Sequence, residues 1–122
     1  MSRPVVLVID DEPDMCDTFV MVLEPMGYEV LTVDSGQAAL VALERRRFDL
    51  AITDFMMPGL DGTQTLDAVK AADPGLPVIV VTGFVTEEVL AACSSHGAAA
   101  IVKKPFSVKE LRELVARSLR SR

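Results

Sequence analysis

A chain of 122 residues, half of them hydrophobic, is long enough for one well-buried core without disulfide or metal staples. Its formal net charge of −6 argues against a nucleic-acid-binding surface, and no apolar run approaches the roughly 18–20 residues of a membrane span. Two cysteines, Cys16 and Cys93, match no metal or redox spacing and are expected to be buried thiols in a reducing cytoplasm.

Met1-Ser2-Arg3-Pro4 runs straight into a strand pattern, so no signal peptide is expected. Val5-Val6-Leu7-Val8-Ile9 is a continuous apolar run, typical of a strand covered on both faces, and it stops at Asp10-Asp11-Glu12. Pro13 suits a first helical turn, with Asp11 able to cap it. Met15, Phe19, Val22, Leu23 and Met26 recur at helical spacing, and Gly27 ends that helix. Residues 28–33 alternate more and are more polar, as a sheet edge requires. Asp34 or Ser35 caps a second helix, which runs to the basic triplet Arg45-Arg46-Arg47, expected to be a solvated helix end. Leu50 to Asp54 is a third strand, delivering one carboxylate to a Met57-Pro58-Gly59-Leu60 sequence suited to a type II turn.

Asp61 then fits as the cap of a third helix bearing Leu66 and Val69, closed by Asp73-Pro74-Gly75. Val78 to Val81 is another buried run, stopping at Thr82-Gly83. A fourth helix starts near Thr86 and ends at Gly97, and His96 near its end reads as a surface residue with no partner in the sequence. Residues 98–102 make a strand of small residues, leading to Lys103-Lys104-Pro105-Phe106, where Lys103 is expected to be exposed. Ser107 and Glu110 form a capping box, and Val108, Leu111, Leu114, Val115 and Leu119 make the stripe of a closing helix.

The chain thus reads as strand then helix, five times. That alternation predicts an α/β, doubly wound, five-stranded parallel sheet with helices on both faces, in a single domain spanning 1–122. Ligands of such sheets bind beyond the strands' carboxyl ends, at the switch point of strand order. Asp10 and Asp11, Asp54, Thr82 and Lys104 all terminate strands on that rim. If the first and third strands are neighbours, three carboxylates share a pocket, and two such charges about 4 Å apart repel by roughly 4 kcal/mol at an effective dielectric of 20. A hard divalent cation resolves the crowding, and an oxygen-only donor set favours Mg²⁺. A carboxylate set between metal and lysine, with a hydroxyl nearby, is suited to attack phosphorus in line.

The pieces Asp10-Asp11, Asp54 through Gly62, Thr82-Gly83 and Lys104-Pro105-Phe106, in this order, resemble the receiver domain of bacterial two-component response regulators from Val5 to Leu119. The resemblance implies strand order 2-1-3-4-5 and phosphorylation of Asp54 by a sensor histidine kinase or a histidine phosphotransfer protein. It implies Mg²⁺ held by Asp11, Asp54 and the Met56 carbonyl, with Asp10 positioning metal waters. Lys104 would pair with the phosphoryl group, Thr82 would move to hydrogen-bond it, and the Lys104–Pro105 bond would be cis. It further implies a cytoplasmic protein, not an enzyme beyond its own phosphorylation and dephosphorylation. The switching face would be the fourth helix, fifth strand and fifth helix, which controls a partner or output domain and through which a homodimer can form.

Some positions depart from the family. Three residues before the lysine stands Ile101 rather than Tyr or Phe, and a β-branched aliphatic has no ring to swing behind Thr82. Signalling is therefore expected to run through the 83–88 loop and the fourth helix. The run Ala98-Ala99-Ala100 lacks the acidic residue of winged-helix transcription regulators. Met56 and Phe84 are apolar where fast-hydrolysing members are polar, so a long phosphoryl lifetime is expected. The rival from another class is an aspartyl-phosphate enzyme of haloacid-dehalogenase type. Asp61-Gly62-Thr63 resembles part of its signature, but Gly59 stands where its nucleophile belongs and no length remains for a cap. A phosphorylation-independent binding module is disfavoured by the intact Asp54, Asp11, Thr82 and Lys104 set. Phosphate-cradling glycine loops are absent. Residues 117–122 are either a natural end or the edge of a longer protein.

Overall fold

The structure, a computed structural model, describes residues 3–55, 62–83 and 85–120. Five strands form one parallel sheet: β1 (Val5–Ile9), β2 (Glu29–Val33), β3 (Leu50–Asp54), β4 (Val78–Thr82) and β5 (Ala100–Lys103), in the order β2-β1-β3-β4-β5. The connections are α1 (Pro13–Leu23), α2 (Gly36–Arg45), α3 (Gly62–Ala72) and α4 (Glu87–Ser95), and α5 (Val108–Arg120) closes the chain.

The uninterrupted apolar runs of β1, β3 and β4 exist because both faces of these strands are covered. Val6, Val8, Leu50, Ile52, Ile79 and Val81 point to one side, where Phe19, Val22 and Leu23 of α1 and Leu111 and Val115 of α5 meet them. Leu7, Ile9, Ala51, Val78 and Val80 point to the other, under Ala39 and Ala42 of α2, Leu66 and Val69 of α3 and Cys93 of α4. Each buried Val, Leu or Ile contributes about 1.5–3 kcal/mol, so the sheet's interior rungs are held from both sides. The strand entries are fixed as well: Val5 N donates to Asp49 Oδ2 at 2.8 Å, and Asp49 N donates to the Val5 carbonyl at 2.8 Å.

Local signals in the sequence are met at most helix ends. Ser35 Oγ, not Asp34, accepts from Ala38 N, Thr86 Oγ1 accepts from Val89 N, and Ser107 Oγ accepts from Glu110 N. Other expectations are corrected. The cap position of α1 falls on Glu12, not Asp11, without a side-chain bond, because Pro13 already fills the first turn. That helix ends at Leu23, and one 3₁₀ turn over Glu24–Met26 leads to Gly27, whose φ of +93° is left-handed. The fifth strand begins at Ala100 rather than 98. Val108 is exposed, since the first turn of α5 precedes the part that lies on the sheet. Cys93 is buried as expected, but Cys16 is only half-buried at the rim. The turn over residues 57–60 and the cap at Asp61 lie outside the described residues.

All three arginines of the basic triplet are exposed at the end of α2, as expected. Arg46 pairs with Glu29 at 2.7 Å and lies over the Phe48 ring, tying the end of α2 to the entry of β2.

Candidate functional site: an acidic crevice with one lysine

Strand register decides what meets at the carboxyl edge. Ile9 pairs with Thr53, Asp54 with Val81, and Thr82 with Lys103. Asp10, Asp54, Thr82 and Lys104 therefore stand on or one residue past the last rungs of four adjacent strands. The ladder continues past those ends: Asp10 N donates to the Val33 carbonyl, Phe55 N to that of Val81 and Lys104 N to that of Thr82, at 2.8–3.0 Å. Rim residues held by the sheet's own hydrogen bonds have little freedom to drift. Between β1 and β3 the chain's order reverses, which opens the crevice there.

Within it, single carboxylate oxygens from Asp10, Asp11, Glu12 and Asp54 all lie within 4.8 Å of one another. Asp10 and Asp54 are buried, while Asp11 and Glu12 are exposed. Lys104 Nζ donates to Asp54 Oδ2 at 3.2 Å, bringing an ammonium group to the cluster. The segment that carries this lysine is anchored behind it, where Phe106 stacks on Phe19 of α1 with ring centroids 5.6 Å apart. The Lys104–Pro105 bond is cis, as the resemblance implied. The loop after β1 is shaped by Asp10 itself: its Oδ1 accepts from Glu12 N at 2.9 Å, and its carbonyl accepts from Cys16 Sγ at 3.3 Å.

Burial pushes the Asp10 carboxyl above its usual range, and the charge of Asp54 adds to the rise, while the Glu12 amide and Lys104 work against it. The Cys16 thiol is pushed up by burial and then by the surrounding aspartates, which keeps it protonated. A cavity of about 480 Å³ opens beside Asp10 and Asp11, lined also by Cys16, Thr32 and Asp34. Four hard, anionic oxygen donors facing one ammonium suit a divalent cation of the Mg²⁺ kind.

The sequence-predicted set thus divides clearly. Asp10, Asp11, Asp54 and Lys104 come together, and Thr82, fully buried, ends the strand between Asp54 and Lys104. Ile101 is partly buried against the sheet face shared with α4. Met56 and Phe84 lie outside the described residues. Glu12 was missed: it adjoins the two aspartates in sequence, but only the loop's curl brings its carboxylate back to Asp54. His96, expected to stand alone, instead bonds Asp67 of α3 through Nδ1.

A five-stranded parallel sheet with this strand order and a carboxylate-and-lysine crevice defines the doubly wound α/β class found in phosphoacceptor domains. The chain belongs to the response regulator receiver domain family, whose model matches residues 6–116. It is 35% identical to the probable transcriptional regulatory protein TcrX of Mycobacterium tuberculosis over 90% of this chain and 47% of that one. It is 37% identical to the response regulator protein FleR of Pseudomonas aeruginosa over 92% of this chain and 24% of the relative. The chain therefore spans less than half the length of these two relatives. Among solved structures, a CheY-like receiver domain protein from Methanospirillum hungatei superposes with a TM-score of 0.93 at 30% identity, covering 98% of this chain and 95% of that one. The receiver domain of the Pseudomonas aeruginosa sensor histidine kinase PA1611 has magnesium coordinated in its active-site cleft; it superposes with a TM-score of 0.87 at 26% identity, covering 97% and 98%.

Proposed function

We propose that this receiver domain, one response-regulatory unit over residues 1–122, accepts a phosphoryl group on Asp54 from the phosphohistidine of a sensor histidine kinase or a phosphotransfer protein. The observation that carries this assignment is Lys104 Nζ at 3.2 Å from Asp54 Oδ2, on a carboxylate ringed by Asp10, Asp11 and Glu12. In the transfer, the P–N bond of the phosphohistidine breaks as an Asp54 oxygen bonds phosphorus, and the released imidazole takes a proton from solvent. Lys104 moves with the incoming charge and neutralises a phosphoryl oxygen. Thr82, at the adjacent strand end, supplies a hydroxyl for another phosphoryl oxygen. The buried position of Asp54 limits water around the acyl phosphate.

Asp11 and Asp54, with the Met56 carbonyl, would hold Mg²⁺ directly, and Asp10 would orient its waters; the fit rests on the hard oxygen set within 4.8 Å. When bound, the ion supplies charge neutralisation to the phosphoryl oxygens. Beyond this self-modification the chain has no catalytic role. No helix among the described residues is long and apolar enough to cross a membrane, and two free thiols suit a cytoplasmic protein. Output runs through the face built by α4, β5 and α5, where a groove of about 470 Å³ is lined by Leu90, Ile101, Glu113 and Arg117, with homodimerisation through that face as one form of control.

Incubation with Mg²⁺ and acetyl phosphate, followed by intact mass, is expected to add one phosphoryl group to the wild type and none to Asp54→Asn. Equal labelling of the two proteins overturns the assignment.

A further inference from the structure

α4 meets the core in both halves, through Val89 in the first and Cys93 in the last turn. Its fully buried residue is Cys93, while Val89 is partly buried and Glu87, Glu88 and Leu90 are exposed. The last turn closes through His96 N to the Ala92 carbonyl and Ala98 N to that of Cys93, with Gly97 between them at a φ of +92°. There the helix also meets α3. His96 Nδ1 bonds Asp67 Oδ1, and a side chain built at Gly97 would lie 3.5 Å from Lys70 Cε. Lys70 cannot shift away freely, because its Nζ donates to the Pro74 and Leu76 carbonyls at 2.8 and 3.0 Å.

We infer that the His96–Asp67 pair is a protonation-sensitive pin: it fixes the C-terminal end of α4 to α3, and it loosens when His96 loses its proton. The inference deepens the switch described above, but its measurement is made on the unphosphorylated protein and stands apart from whether Asp54 takes phosphate. The chemistry is simple. Protonating the imidazole turns a hydrogen bond into an ion pair at the negative end of a helix, where a cation is favoured twice over. The charged groups facing His96 are few. From α3 come Asp67 and Lys70, the latter turned onto backbone carbonyls; β5, which also packs on α4, carries its one charge, Lys103, at its opposite end. Within α4 the acids Glu87 and Glu88 lie in the first turn. Asp67 is therefore the carboxylate that pairs with the protonated imidazole.

Hydrogen exchange of the apo protein at about pH 6 and about pH 8, each corrected for intrinsic rates, reads the pin directly. In the wild type, amides of residues 92–96 are expected to be roughly 2- to 5-fold better protected at the lower pH, the range of a partly exposed ion pair. That pH difference is expected to vanish in Asp67→Asn and in His96→Gln, and the double variant should lose no more than either alone. Amides of residues 87–90 should be unaffected throughout. Protection that is the same at both pH values in the wild type, or a pH difference that survives Asp67→Asn, overturns the pin.

Discussion

Asp10 shows how one buried carboxylate can weaken the metal-free protein. It is nearly inaccessible, at 2% exposure, and its ionised form faces both desolvation and the carboxylate of Asp54. A carboxyl whose native titration lies above its unfolded one adds stability while protonated, below the unfolded range. That contribution is lost as pH rises through the native range. Asp10→Asn is therefore expected to stabilise the metal-free protein at neutral pH by on the order of 1 kcal/mol, roughly 4 °C in Tm for a domain of this size. The gain should disappear at about pH 3, where both side chains are neutral. Thermal unfolding in EDTA at the two pH values checks it, and an equal shift at both would mean that charge is not the cause. The same variant should bind Mg²⁺ more weakly. Asp10 was legible as a candidate site residue from its place after an apolar run. Glu12 was not, because a loop's curl has no signature in spacing, and neither was the His96–Asp67 pair, whose members lie 29 residues apart on different helices.

At the level of elements, legibility followed burial. Strands covered on both faces are written as unbroken apolar runs, so β1, β3 and β4 could be read from the sequence, and so could the Ser35, Thr86 and Ser107 caps. The weaker edges were harder: β5 is composed of small residues and starts later than its sequence suggests, since nothing in an alanine run marks where pairing begins. Ile101 sits in that strand, paired with Val80 and packed toward α4. Its stiff, branched side chain fixes a contact between sheet and helix rather than filling and vacating a pocket. Ile101→Ala should therefore loosen α4 in both states and narrow the difference in partner binding between beryllofluoride-activated and resting protein, by roughly 3- to 10-fold if 1 kcal/mol or so of contact is lost. Pull-down of the output partner in the two states is the measurement. Binding unchanged in both would exclude this position from the switch.

For the whole molecule, stability is spread unevenly along the strands. The middle of the sheet is clamped between α1 and α5 on one face and α2, α3 and α4 on the other, whereas its carboxyl edge gathers like charges. A domain built this way should respond to a cation at the edge as a unit, because the ion binds only when β1 and β3 are in register. A ligand that binds the folded form alone adds RT ln(1 + [L]/Kd), about 2.7 kcal/mol at a hundredfold excess over Kd. Raising Mg²⁺ is thus expected to lift the wild-type Tm by roughly 10 °C, linearly in the logarithm of concentration once past Kd. Asp11→Asn, which removes an exposed donor without opening the core, should flatten that response while leaving the metal-free Tm within a degree or two. NaCl at matched ionic strength separates coordination from screening, since exposed charges are relieved by any salt. If sodium raised Tm as far as magnesium, or if the Asp11→Asn slope matched the wild type, the crevice would be merely a crowded edge and not a metal site.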